Sequence, residues 1–169
     1  MSKFIMLFCL TLAAVPLWSQ PLVDGIVQKS EYQHAIKALD GTATISYSVD
    51  AKGGLNIAVA AKTSGWVGLG LGSQVMDGAY IFMGYVRNGK TVFSEQKGSG
   101  HQHTASTVHR ADTSSVRQTG GITTIEFHVQ ADKLPFKGKK FDYIVASAGA
   151  PNLTAFHEDS IDGGSISLP

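Results

Sequence analysis

Cysteine is almost missing from this chain. Its single cysteine, Cys9, lies inside an N-terminal apolar run, Phe4 to Trp18. Once that run is removed, the protein has no disulfide, no thiolate metal site and no thioether-attached haem of the C-x-x-C-H kind. Charge is also scarce: charged residues make up 16% of the chain and the formal net charge is +1. The two signs are interspersed, so the basic stripe of a nucleic-acid surface is absent. No second apolar run reaches transmembrane length. There is no Gly-x-Ser-x-Gly elbow and no active-site cysteine. The glycine series from Gly65 to Gly72 leads into nothing helical, which argues against a phosphate-binding loop. Glu158, Asp159 and Asp162 read as a solvated acidic turn, not an acid/base pair.

What is present begins with an export signal. Lys3, the apolar run and Ser19-Gln20-Pro21 give a positive start, a core too short to span a bilayer and a small residue at the expected cut. Cleavage near Ser19 or Gln20 makes residues 1–20 a signal peptide and 21–169 the mature chain, secreted or periplasmic with no retained transmembrane segment. Roughly 150 residues remain, enough for one domain with a sizeable core.

Glycine is abundant, with Val, Ile, Thr, Ser and Tyr beside it, and this favours strands and turns. After an opening segment, Pro21 to Tyr32, residues alternate along Thr42 to Val49, with Ala43, Ile45, Tyr47 and Val49 on one face. Asp50 to Gly54 is a hairpin turn into Leu55 to Ala61, where Leu55, Ile57, Val59 and Ala61 share a face. Asn88-Gly89 marks a second hairpin. Lys97 to Arg117 reads as a long polar loop. Ile122 to Val129 is a strand whose core side is Thr123, Ile125, Phe127 and Val129. Asp142 to Gly149 and Gly164 to Leu168 are further strands. The expectation is all-β: an immunoglobulin-like β-sandwich of about ten antiparallel strands.

The stretch from Gly65 to Tyr85 dominates the middle of the chain. Trp66, Val67, Leu69 and Leu71 are separated by Gly68 and Gly70, and a short loop carrying Met76 precedes the strand Ala79 to Tyr85. Glycine inside a strand often marks close approach of a ligand or of another backbone. A flat apolar ligand such as haem, reached by the Met76 sulfur, accounts for both features. A tight sheet-to-sheet contact with Met76 filling a gap in the core accounts for them too.

Imidazole and thioether together form an axial pair in electron-transfer haem proteins. Of the six histidines, His157 lies in a loop beside Phe156 and near carboxylates able to orient its ring. His101 and His103 form a His-x-His that, on extended backbone, points two rings the same way, a pattern suited to copper or zinc. His128 is expected at the surface, and His34 has no evident partner.

The strings Gly65-Trp66-Val67-Gly68-Leu69-Gly70-Leu71, Met76-Asp77-Gly78-Ala79, Gly84-Tyr85 and Gly89-Lys90 resemble the DOMON domain. Val23-Asp24-Gly25 with Glu31-Tyr32, and Phe156-His157 with Gly163 to Leu168, extend the likeness over nearly all of the mature chain. In haem-binding members a b-type haem lies at one end of the sandwich. It is held by a Met before the strand opening Gly-Ala and a His before the last strand. Met76 and His157 occupy those places, and the resemblance implies that they ligate haem b. Some members use Lys instead of His, but Lys139 and Lys140 precede the wrong strand for that. Trp66, Leu69, Leu71, Tyr80 and Phe156 are then candidate pocket walls. With both axial positions filled, the expected role is electron transfer, not catalysis, toward a redox partner protein or a membrane electron carrier. The alternatives are a haem-free module for a sugar or other small ligand, and a copper or zinc protein using His101 and His103.

Overall fold

The computed structural model describes residues 20–157 and 160–169. Residues 1–19, which hold Cys9 and nearly all of the expected signal peptide, and the Glu158–Asp159 pair of the acidic turn lie outside the described residues. Eleven strands and one short 3-10 turn make up the described regular structure. No helix among the described residues is long and apolar enough to cross a membrane.

The strands form two antiparallel sheets. The five-stranded sheet runs β1 (His34–Ala38), β2 (Ala43–Val49), β3 (Leu55–Ala61), β9 (Ile122–Val129), β8 (Ala111–Thr119). The six-stranded sheet runs β11 (Ile161–Ser167), β10 (Lys140–Ser147), β4 (Val67–Leu71), β5 (Tyr80–Arg87), β6 (Lys90–Ser99), β7 (Gln102–Ala105). Alternation set this layering. Ile45 pairs with Val59 and Val59 with Ile125, while Leu69 lies between Val145 and Phe82. Because side chains alternate across a strand, these residues all point into the space between the sheets. Phe82 and Phe127 meet there, stacked at 4.2 Å with an interplanar angle of 19°.

The hairpin turns follow their chemistry. Asn88 and Gly89 both have positive φ, 52° and 72°, as a tight two-residue turn requires. Asp50 Oδ1 accepts hydrogen bonds from the N–H groups of Lys52 (2.7 Å) and Gly54 (2.9 Å). The close sheet-to-sheet approach expected from the glycines of β4 occurs on β5 instead. A Cβ on Gly84 would come within 2.6 Å of Ile125 and 2.7 Å of Val116.

Three points differ from expectation. The long polar loop from Lys97 to Arg117 resolves into the end of β6, the strand β7 and the start of β8. Many of its polar residues lie on β7 and β8, the edge strands of the two sheets, which need no continuous apolar face. β1 was not anticipated, and β11 starts at Ile161, ahead of the strand expected from Gly164.

The opening segment crosses the outer face of the five-stranded sheet and is tied down by Glu126, which is fully buried. Its carboxylate accepts from the Tyr32 hydroxyl at 2.9 Å and from the N–H groups of Gly25 (2.5 Å) and Asp24 (3.1 Å). Burial raises the Glu126 carboxyl above its ordinary value, although these donors pull the other way.

His128 faces outward from its sheet, as expected, but it is tied down there. It is held between Asp112, 2.7 Å from Nδ1, and Asp50, 2.9 Å from Nε2. Burial pushes both carboxyls upward, but hydrogen bonds outweigh it and leave each below the ordinary value of 3.8. His128 contributes to both, with Gly54 and Lys52 helping Asp50 and Gln130 helping Asp112. A lowered carboxyl pKa adds stability above the unfolded value and loses it as pH falls through the folded one. Glu126 works in the opposite sense, since its raised pKa favours the folded state at low pH. Thermal melts should therefore fall as pH drops below 3.8, and less steeply in the double variant Asp50→Asn/Asp112→Asn. Parallel acid profiles for the two proteins would show that the cluster does not contribute.

Candidate functional site

The outer face of the six-stranded sheet is the unusual surface of this molecule. An antiparallel sheet with one face on the core normally turns polar side chains to water on the other. Here the outward positions across β10, β4 and β5 are Ile144, Ala146, Gly68, Gly70, Ile81 and Met83, and they floor a cavity of about 430 Å³. That volume lies within the range of small-molecule and cofactor sites. Trp66, Ala79, Ile81, Met83, Ile144 and Ala148 form a second buried cluster here, apart from the core between the sheets.

Three connections wall the cavity. The β4–β5 loop brings Met76, the β6–β7 turn brings His101, and the β10–β11 connection brings Leu153 to His157. Met76 and His157, 81 residues apart by their numbering (157 − 76), thus line one cavity, and both are half-buried.

The Met76 loop is held by backbone bonds. Ala79 N–H donates to the Met76 carbonyl at 3.1 Å, and Gly98 N–H to the Ala79 carbonyl at 2.9 Å. Gly100 N–H donates to Asp77 Oδ1 at 2.8 Å. Gly98 is the pivot, because a Cβ there would collide with the Met76 carbonyl. Rotation about a side-chain bond cannot relieve a clash between Cβ and backbone. Gly98→Ala should therefore lift the loop and cost about 1–3 kcal/mol. A chemical melt checks the cost, and unchanged Met76 methyl chemical shifts would show that the loop had not moved.

The His157 segment is held by Trp66, whose Nε1–H donates to the Ala155 carbonyl at 3.0 Å. The Thr63 hydroxyl and the Ala148 N–H add bonds of 2.7 Å and 3.0 Å to the Ala148 and Trp66 carbonyls. Ser160 N–H donates to the His157 carbonyl at 2.9 Å. The Phe156 and His157 rings stack at 4.7 Å, with Phe156 75% exposed at the cavity rim.

Of the proposed walls, Trp66 and Phe156 line the cavity, whereas Leu69, Leu71 and Tyr80 do not. Those three point inward and belong to the core between the sheets. Tyr80 hydroxyl donates to Glu95 at 2.6 Å, and the Arg110 guanidinium lies 4.8 Å from its ring centroid. Burial, then the Glu95 contact, pushes the phenol up to about 12. The floor residues Ile81, Met83, Ile144 and Ala146 were missed. One signal could have found them: Tyr80 to Met83 is continuously apolar, the mark of a strand covered on both faces.

His101 and His103 also line this cavity, so the His-x-His is no separate loop site. His103 is half-buried, and burial, then the nearby His157, lowers its pKa. His109 is exposed, with Nδ1 3.6 Å from Glu95. His34 stacks on Tyr47 at 4.9 Å. Among the described residues no group of three or more His, Cys, Asp or Glu is placed to hold a metal ion.

Comparison with known proteins bears on the fold. The cytochrome b domain of pyranose dehydrogenase from Coprinopsis cinerea is similar with a TM-score of 0.60 and 15% identity, over 79% of this chain and 80% of that one. The cytochrome domain of cellobiose dehydrogenase from Myriococcum thermophilum is similar with a TM-score of 0.55 and 12% identity, over 75% of each chain. No curated protein matches in sequence. The DOMON domain model matches residues 39–148, from the end of β1 to the end of β10, and the chain belongs to the DOMON domain family.

Proposed function

We propose that this domain binds one b-type haem in the cavity on the six-stranded sheet, with Met76 and His157 as the axial ligands, and that it carries electrons. The observation that carries the reading is the meeting of a thioether and an imidazole over an apolar floor. The donor set suits the group, since a soft sulfur and an imidazole are both ligands of haem iron. The floor suits it as well, because the side chains of Ile81, Met83 and Ile144, which close over Gly68 and Gly70, offer a flat ring apolar contact. A bound haem supplies a one-electron couple, whose potential a Met ligand raises.

The chain's own contribution is to hold two donors and keep water from the floor. Met76 is fixed through Gly98, and His157 through Trp66. With both ligands in place no coordination position is left for a substrate, so the domain acts as a carrier and not as a catalyst. The cytochrome domains it resembles belong to dehydrogenases. Its partner is accordingly a redox protein or a membrane electron carrier, met outside the cytoplasm after signal cleavage. A sugar is less well supported, because its hydroxyls need polar partners that the floor side chains lack.

Titration of the purified protein with haem tests the reading. A six-coordinate, low-spin spectrum at one equivalent is expected. A protein that leaves haem free in solution while binding a glycan would overturn it.

A further inference from the structure

His103 has no part in the Met76–His157 pair, yet it faces the same cavity. On β7 it pairs across the ladder with Gly98, the residue on which the Met76 carbonyl rests. Its imidazole therefore stands beside the Met76 loop. Its Nδ1 lies 3.4 Å from Gln96 Oε1. Gln96 is itself 95% buried, and its Nε2–H₂ donates to Ser94 Oγ at 2.5 Å. That second bond turns the amide so that its carbonyl oxygen faces the ring. A carbonyl can only accept, so His103 presents Nδ1–H to Gln96 and leaves the lone pair on Nε2. A histidine whose far nitrogen is tied to a protein oxygen in this manner is oriented as metal-ligating histidines commonly are.

We propose that His103 is a reserve ligand for the haem iron, coordinating through Nε2 from the side of Met76, with Gln96 as the positioning residue that sets its tautomer. The proposal rests on the haem reading above. The exchange replaces one neutral donor by another: the thioether leaves, the imidazole lone pair binds, and no proton or electron is released. Because thioether ligation raises a haem potential, the His103 form has the lower potential of the two. The domain would then have two redox settings, selected by which donor the edge strand and the Met76 loop present.

The test compares ferric haem spectra and electron paramagnetic resonance of the wild type, Met76→Ala, Met76→Ala/His103→Ala and Met76→Ala/His101→Ala. Met76→Ala should stay six-coordinate and low-spin, with a bis-imidazole signature in place of the methionine charge-transfer band. Adding His103→Ala should turn it high-spin and weaken haem binding by at least about 10-fold, whereas adding His101→Ala should not. In the haem-free protein, nitrogen NMR should find the His103 proton on Nδ1, and Gln96→Leu should release that preference. A Met76→Ala protein that is already high-spin, or that loses its second imidazole with His101→Ala, overturns the proposal and leaves the haem reading standing. A wild type that takes up no haem overturns both.

Discussion

Replacing His157 by alanine should remove the low-spin haem spectrum and weaken haem binding by more than about 100-fold, since outer contacts of a metal ligand alone are worth 10–100-fold. His157 reaches the cavity on the β10–β11 connection, while Met76, His101 and His103 come from the β4–β5 loop and the β6–β7 hairpin. The other two histidines lining the cavity, His101 and His103, are carried on the β6–β7 hairpin beside the Met76 loop and not on the His157 connection. The fold should survive, because His157 is half-buried and belongs to neither apolar cluster. A thermal melt of the haem-free variant should stay close to the wild type, with only the Phe156 stacking and other local contacts of His157 lost, which separates loss of a ligand from loss of structure. An unchanged low-spin spectrum in His157→Ala would remove His157 from the iron.

Trp66→Ala should have the largest effect on the fold of any cavity residue. Trp66 is 4% exposed, packs in the outer cluster and anchors the Ala155 carbonyl. Truncating a buried tryptophan costs about 3–5 kcal/mol, and for a domain of this size that lowers Tm by roughly 10 °C. Trp66→Phe separates the two roles. It keeps most of the apolar area and loses one hydrogen bond, worth about 1 kcal/mol. With the tie to Ala155 gone, the His157 segment is held less firmly. Haem affinity should therefore fall more in Trp66→Phe than its small loss of stability accounts for. Equal haem affinity in wild type and Trp66→Phe would show that the tie does not position His157.

The two variants probe different links of one chain of causes. Indole packing stabilises the outer cluster, and the indole N–H fixes the backbone just before His157. The same logic applies on the other wall, where the missing side chain of Gly98 is what admits the Met76 carbonyl. One wall is positioned by a large side chain and the other by the absence of one.

Much of the fold is legible in the sequence. The alternation in Ala43 to Val49, Leu55 to Ala61 and Ile122 to Val129 assigned core faces that the buried residues match. The turn chemistry of Asn88-Gly89 placed a hairpin where β5 meets β6. Short-range rules suffice for such features, because a side-chain period of two and a turn's φ values are properties of a few consecutive residues.

The sides of the central strands were beyond those rules. β4 is buried on both faces, so alternation gives two equally apolar sets and does not say which of them meets the other sheet. Leu69, Leu71 and Tyr80 went to the core, leaving Gly68, Gly70, Ile81 and Met83 for the cavity. That choice is made by register and sheet order, through pairings such as Leu69 with Phe82 and Val145.

By itself the chain of residues determined an all-β domain with a glycine-rich central strand, a methionine loop after it and a histidine loop before the last strand. Only the tertiary structure decided that the two loops open onto the outer face of one sheet, and that His103 joins them there. Contacts between residues far apart along the chain depend on how strands pair, and pairing is a property of the whole sandwich, not of any local stretch.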